Sequence, residues 1–291
     1  MITLHIGGVL IYSFSFEQNL TYLMRSSLEP MYVIEGNKII RAIEVDDHIH
    51  IFQLSDYEGK LQIHTFEGNP QVVHDFVIDW FDLHYPLSSF YEMATVDPLL
   101  STVIHDYKGL RLIGIPDLFE ALAWGIIGQQ VNLTFAYTLK KRLVETYGQT
   151  IPFKNHSLSL FPQPATIAEL TVDDLLPLQL SQRKSEYLIQ VAKRIAEGSL
   201  SKAALSSQLE SAETQLTSIR GIGPWTANYV LMRCLRYARA FPIDDAGFQN
   251  AMKKALCLQD KPSKETIMSY AQHWRGFEAY AVFYLWRTLQ A

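Results

Sequence analysis

Strand-like periodicity in this chain ends before residue 67, and that segregation limits what it can fold into. Residues 2–13, 31–34, 38–45, 48–54 and 60–66 are β-rich or alternate with a period near two. Glu35-Gly36-Asn37 and residues 56–59 separate them as turns. One apolar face per strand predicts an antiparallel sheet whose other face is wet. Ser15 and Gln18 have capping-box spacing ahead of a helix carrying Leu20, Leu23 and Met24. Residues 71–83 set Val72, Val73, Phe76, Val77, Trp80 and Phe81 on one side of a helix. From Pro86 onward the pattern is helical: 98–105, then 116–147 with interruptions near Gly125 and Gly128-Gln129-Gln130, then 182–198, 211–218, 264–274 and 277–289. Residues 164–166 and 171–174 read as helix starts. The expected class is α+β, with a mixed N-terminal domain over 1–105 and an all-helical region over 106–291.

Charge follows the same division. The whole chain of 291 residues carries −5, which argues against nucleic acid. Residues 1–105, however, hold four Lys/Arg against fourteen Asp/Glu, a balance of −10, and residues 106–291 hold +5. An acidic half can mask a basic binding half. No run of about 18 apolar residues suggests a membrane span, and the N-terminus lacks the basic and small-residue features of a signal peptide. Two cysteines, Cys234 and Cys257, fit a reduced, cytoplasmic protein and leave out a four-cysteine cluster. His48 and His50 share a strand face with Asp46 nearby. Lacking a standard ligand motif, they read as solvated strand residues, not a metal site.

Residues 216–248 concentrate the chemistry. Gly221-Ile222-Gly223-Pro224 is a tight turn between two helices, with Pro224 suited to a first helical position. Such a turn presents unpaired backbone N–H groups, a place for a phosphate; it also serves as a plain helix–helix connection. Twenty residues on, Asp244-Asp245 precede a helical run beginning at Ala246. A carboxylate there is favoured by the helix dipole, and it serves equally as an N-cap.

These segments resemble a known family. Residues 219–227, Ile-Arg-Gly-Ile-Gly-Pro-Trp-Thr-Ala, look like the hairpin of the helix-hairpin-helix DNA glycosylases, and Phe241-Pro242-Ile243-Asp244-Asp245 looks like their loop ending in the essential aspartate. Residues 125–131 and 180–188 resemble further segments, so the likeness runs from about residue 123 to the end. The mixed N-terminal domain points to the bacterial inducible 3-methyladenine DNA glycosylase II subgroup. The resemblance implies two helical subdomains flanking a catalytic cleft. It also implies a cytoplasmic, nucleoid-associated monomer acting on double-stranded DNA that contains damaged bases. Beyond a Na+ or K+ ion at the hairpin backbone, it implies no cofactor.

It further implies a role for each matching residue. Gly221, Ile222, Gly223 and Thr226 form the DNA-binding hairpin. Asp245, directly ahead of Ala246-Gly247-Phe248, is the catalytic carboxylate, which leaves Asp244 as a cap or a supporting group behind it. Trp225, Tyr229 and Trp286 match aromatic positions of the base pocket, where a cationic alkylated base gains roughly 0.5–2 kcal/mol per ring. A single helical aromatic is more often core; three at matching positions point to a pocket. Gln130 takes the place of the wedge that fills the gap left by a flipped base, although a polar residue at a helix break needs no such role. Relatives that also cut the strand carry a lysine where this chain has Trp225, and an indole cannot form a Schiff base. The implied activity is therefore monofunctional hydrolysis of alkylated purines of the 3-methyladenine and 7-methylguanine type. Gly276-Phe277, Glu278 and Arg287 depart from the family's pattern, which keeps open a glycosylase for deaminated or oxidised bases. A non-catalytic damage-binding protein is the other alternative.

Overall fold

The computed structural model describes residues 14–58 and 60–289; the strand expected over 2–13 lies outside them. Four strands, β1 (Val33–Glu35), β2 (Lys38–Val45), β3 (His48–Tyr57) and β4 (Lys60–Glu67), form an antiparallel meander in chain order. Asp46 and Asp47 make the β2–β3 turn, both left-handed at φ 51° and 59°, the conformation that suits a two-residue hairpin. Asp46 therefore lies in a turn and not along the His48–His50 face. His50 is not solvated either. It is 4% exposed, its Nδ1 accepts the Asn69 N–H at 2.9 Å, and burial lowers its pKa. It is a core histidine.

One sheet face, carrying Ile39, Ile43, Phe52, Leu54 and Ile63, packs into a single core. That core also holds Val73 and Val77 of the Pro70–Trp80 helix and continues into the helices Leu118–Ile127, Pro224–Arg233 and Glu278–Arg287. Leu110, Leu112 and Ile113, where the chain leaves the sheet region, are buried in it.

The other sheet face is not wet as expected. A hairpin of β5 (Gln149–Phe153) and β6 (His156–Leu160) lies against it, so that Leu158 and Leu160 bury Ile40, Ala42 and Ile51. This hairpin also corrects the all-helical expectation for residues 106–291. Its strands are five residues long, and Pro152 in one of them reads as a strand breaker. The cover explains why β2 is buried continuously from Ile39 to Ile43, including Arg41.

The remainder is helical. The 116–147 segment is two helices, Leu118–Ile127 and Leu133–Tyr147, and Gly125 does not interrupt the first. A Cβ at Gly125 would lie 2.7 Å from Thr226 Cγ2. Glycine there lets the first helix press against the Pro224–Arg233 helix, and this contact sets the hairpin against the helix break at 128–132. Among the described residues no helix is long and apolar enough to cross a membrane.

Candidate functional site

The hairpin between the helices Leu209–Thr217 and Pro224–Arg233 needs its two glycines for different reasons. Gly221 has φ 92°, and a Cβ on it would sit 2.2 Å from the Tyr187 ring. Conformation and packing both demand glycine. Gly223 has φ −88°, open to any residue, and a Cβ there would meet nothing within 4 Å. Neither strain nor packing inside the protein requires glycine at 223. It faces an open concavity of about 620 Å³ lined by residues 217–226 with Gln129, Tyr187 and Asp244. No side chain caps the helix that starts here, so the N–H groups of its first turn point to that space.

Two hairpin residues offer backbone and not side chain to the concavity. Ile222 is 3% and Thr226 1% exposed, so both side chains turn inward. The latch is Gln129, a residue noted in the sequence only as part of a helix break. Its Nε2 donates to the Gly221 carbonyl at 2.9 Å and to Thr226 Oγ1 at 3.2 Å. Lys184 Nζ, on the Gln182–Ala196 helix, donates to the Ile127 carbonyl at 2.8 Å. Beside Gln129, Gln130 is exposed and left-handed at φ 55°. Non-glycine residues hold this conformation when their surroundings impose it. Gln130 is thus a projecting tip fixed next to the hairpin.

Asp245 caps the Ala246–Ala255 helix, and the cap is only part of its environment. Its Oδ1 accepts the Phe248 N–H at 2.6 Å and the Trp286 indole N–H at 2.8 Å. Its Oδ2 accepts the Trp225 indole N–H at 2.8 Å. Two of the three expected pocket aromatics therefore grip the carboxylate from separate helices. Gly247 makes room for this, since a Cβ there would stand 3.0 Å from Oδ1 and 3.5 Å from Trp286 Nε1. Asn228 fixes the loop ahead of the aspartate, accepting the Phe241 N–H at 2.9 Å and donating to the Pro224 carbonyl at 3.1 Å. Asp244 does not take part. It is on the surface, paired with Lys264 Nζ at 2.5 Å, and it caps nothing.

Trp225, Tyr229 and Trp286 form one aromatic wall, with ring centroids 5.9 Å and 6.2 Å apart along the series. The two tryptophans are half-buried and Tyr229 is buried. Arg233 Nη1 donates to the Tyr229 hydroxyl at 2.9 Å, and burial pushes that phenol up to about 12, so it stays protonated at neutral pH. Trp225 also leans toward the helix break, 3.6 Å from where a Gly128 Cβ would stand. Hairpin, break, aspartate and aromatic wall are contiguous.

Comparison with known proteins gives the family and the fold. Residues 123–275 match the family described as HhH-GPD superfamily base excision DNA repair protein, and residues 12–122 match the 8-oxoguanine DNA glycosylase N-terminal domain. The chain is 44% identical over 285 residues to the DNA-3-methyladenine glycosylase of Bacillus subtilis, covering 95% of this chain and 94% of that protein. Its fold is similar to that of the 3-methyladenine DNA glycosylase from Archaeoglobus fulgidus, with TM-score 0.84 and 23% identity over 98% of this chain and 97% of that one. It is also similar to a Clostridium acetobutylicum 8-oxoguanine glycosylase/lyase solved with double-stranded DNA, with TM-score 0.77 and 18% identity, covering 95% and 92%.

The two glycines give a paired test by thermal unfolding. Gly221→Ala lowers stability by about 1–3 kcal/mol through backbone strain and the Tyr187 overlap. Gly223→Ala changes it by less than about 0.5 kcal/mol. Equal losses in the two variants would contradict the open space assigned to Gly223.

Proposed function

The chain belongs to the HhH-GPD superfamily of base excision DNA repair proteins, and we propose that it is a monofunctional DNA glycosylase that hydrolyses the N-glycosidic bond of alkylated purines. The observation that carries this reading is the carboxylate of Asp245 gripped by the indoles of Trp225 and Trp286 beside an uncapped helix N-terminus.

Each part has a physical role. A DNA phosphate next to the damaged nucleotide accepts from the first-turn N–H groups beyond Gly223, and no base is read in doing so. A Na+ or K+ ion at the hairpin would take backbone carbonyl oxygens of the turn, the hard donors such ions need; it serves phosphate binding and no chemical step. Gln130 fills the gap left when the nucleotide flips. The flipped base meets the wall of Trp225, Tyr229 and Trp286, where a cationic alkylated ring is held by the aromatic faces.

Cleavage leaves the bonding electron pair on the base and positive charge on the sugar. Asp245 Oδ1 already accepts two hydrogen bonds and Oδ2 only one. Oδ2 keeps a free lone pair, so it is the oxygen that faces the oxocarbenium-like sugar and orients the attacking water. The carboxylate does not have to move to do so, because three donors from three segments hold it. At the position where an amine would be needed for strand cutting, the indole of Trp225 is committed to Asp245.

The N-terminal match to the 8-oxoguanine glycosylase domain favours one second reading, a glycosylase for oxidised bases. Base release from duplexes containing 3-methyladenine, 7-methylguanine, hypoxanthine or 8-oxoguanine separates the two. Free methylated purine is expected as the main product, and preferential release of 8-oxoguanine would overturn the alkylpurine assignment. Borohydride added during turnover is expected to trap no covalent protein–DNA adduct, and an adduct would refute the hydrolytic mechanism.

A further inference from the structure

A second set of charges lies on the far side of Arg233, where the sheet meets the helices. Arg25, Arg41, Lys140 and Arg233, with Glu29 and Glu120, line a cavity of about 30 Å³. Arg41 is 5%, Lys140 3% and Arg233 3% exposed. Lys140 Nζ takes up both carboxylates, at 2.8 Å from Glu29 Oε1 and 2.8 Å from Glu120 Oε1. Arg41 Nη2 is 3.8 Å from Glu120 Oε2, beyond hydrogen-bond length. The other two cations meet neutral oxygens. Arg233 donates to the Ile113 carbonyl at 2.6 Å and to the Tyr229 hydroxyl at 2.9 Å, and Arg25 Nε donates to the Tyr137 hydroxyl at 2.5 Å. Asp117 also acts on Arg41, from an exposed position where it caps the Leu118–Ile127 helix.

Four cations therefore share the two carboxylates that line the cavity, with Asp117 acting from outside it, so positive charge is in excess there. Two donors that line this cavity, Arg25 Nη1 and Arg41 Nε, are buried and have no hydrogen-bond partner among the described residues. Buried charge without compensation is strongly unfavourable, and orphaned donors add to the cost. Stacking of the Arg41 guanidinium 4.5 Å over Trp80 holds it in place and leaves its Nε–H unanswered.

We propose that this cavity binds one small monovalent anion of halide size, chloride under cellular conditions. The volume admits one or two water-sized species and is too small for phosphate or a nucleobase. An anion there accepts from Arg25 Nη1 and Arg41 Nε and offsets the excess positive charge. It ties β2, through Arg41, to the segment that follows the Phe16–Leu23 helix, through Arg25. The site stands independently of the glycosylase reading, although Arg233 connects it to Tyr229 in the aromatic wall.

Crystals of the full chain grown or soaked in sodium bromide test the proposal by anomalous diffraction at the bromine edge. A bromide peak within hydrogen-bond reach of Arg25 Nη1 and Arg41 Nε is expected; ordered water alone at that position overturns it. In solution, chloride replaces glutamate at constant ionic strength while thermal unfolding is followed for the wild type and Arg41→Met. The wild-type Tm is expected to rise relative to the variant by about 2–4 °C as the site fills, and parallel curves overturn the proposal. Should Arg41→Met not fold, the bromide map decides alone.

Discussion

The site depends on three N–H groups that converge on one carboxylate. The Phe248 amide belongs to the helix that Asp245 caps, and the Trp225 and Trp286 indoles belong to two other helices. All three hydrogen bonds to the Asp245 oxygens come from N–H donors. The interaction fixes the acid, and it also fixes the planes of the two rings that form the ends of the aromatic wall. In the proposed reaction, charge stabilisation and base stacking would thus be set by the same contacts. A change in either ring moves the carboxylate, and a change in the carboxylate releases both rings.

Close approach of backbone segments makes this convergence possible. Gly247 admits Trp286 to the aspartate, and Gly125 admits the methyl group of Thr226 to the neighbouring helix. Thr226 in turn receives Gln129, which reaches across to the Gly221 carbonyl. The projecting Gln130 is the next residue. The hairpin proposed to bind phosphate and the proposed wedge are therefore positioned by one short chain of contacts, which holds them at a fixed spacing.

Much of this was legible in the sequence, and what was missed has identifiable causes. The α+β class showed because period-two stretches crowd into the first 67 residues. The turn and the pre-helical acid pair showed because turn glycines and helix starts have local signatures, and the choice of Asp245 within the pair came from the family resemblance. The Gln129 latch joins residues 92 apart, and Gly247 matters because Asp245 meets Trp286, 41 residues on; no local pattern marks either. The β5–β6 hairpin was hidden by its short strands and by Pro152, and with it went the covered sheet face. His50 looked solvated because a period-two strand says which residues share a face, not which face is buried. The inward Thr226 and the surface pair of Asp244 with Lys264 are likewise tertiary facts. Trp225 and Trp286 were read as stacking surfaces; that their N–H edges grip the aspartate follows only from how the helices cross.

The central claim is that Asp245 is the catalytic group and that only an acceptor on both oxygens satisfies its surroundings. Single-turnover release of 3-methyladenine from duplex DNA by Asp245→Asn tests it most directly. The amide loses the charge and sets an NH2 group against a donor. The account predicts a fall of about 10²–10⁴-fold in rate, together with weaker binding of the damaged duplex as the indoles are released. Release at the wild-type rate would contradict it.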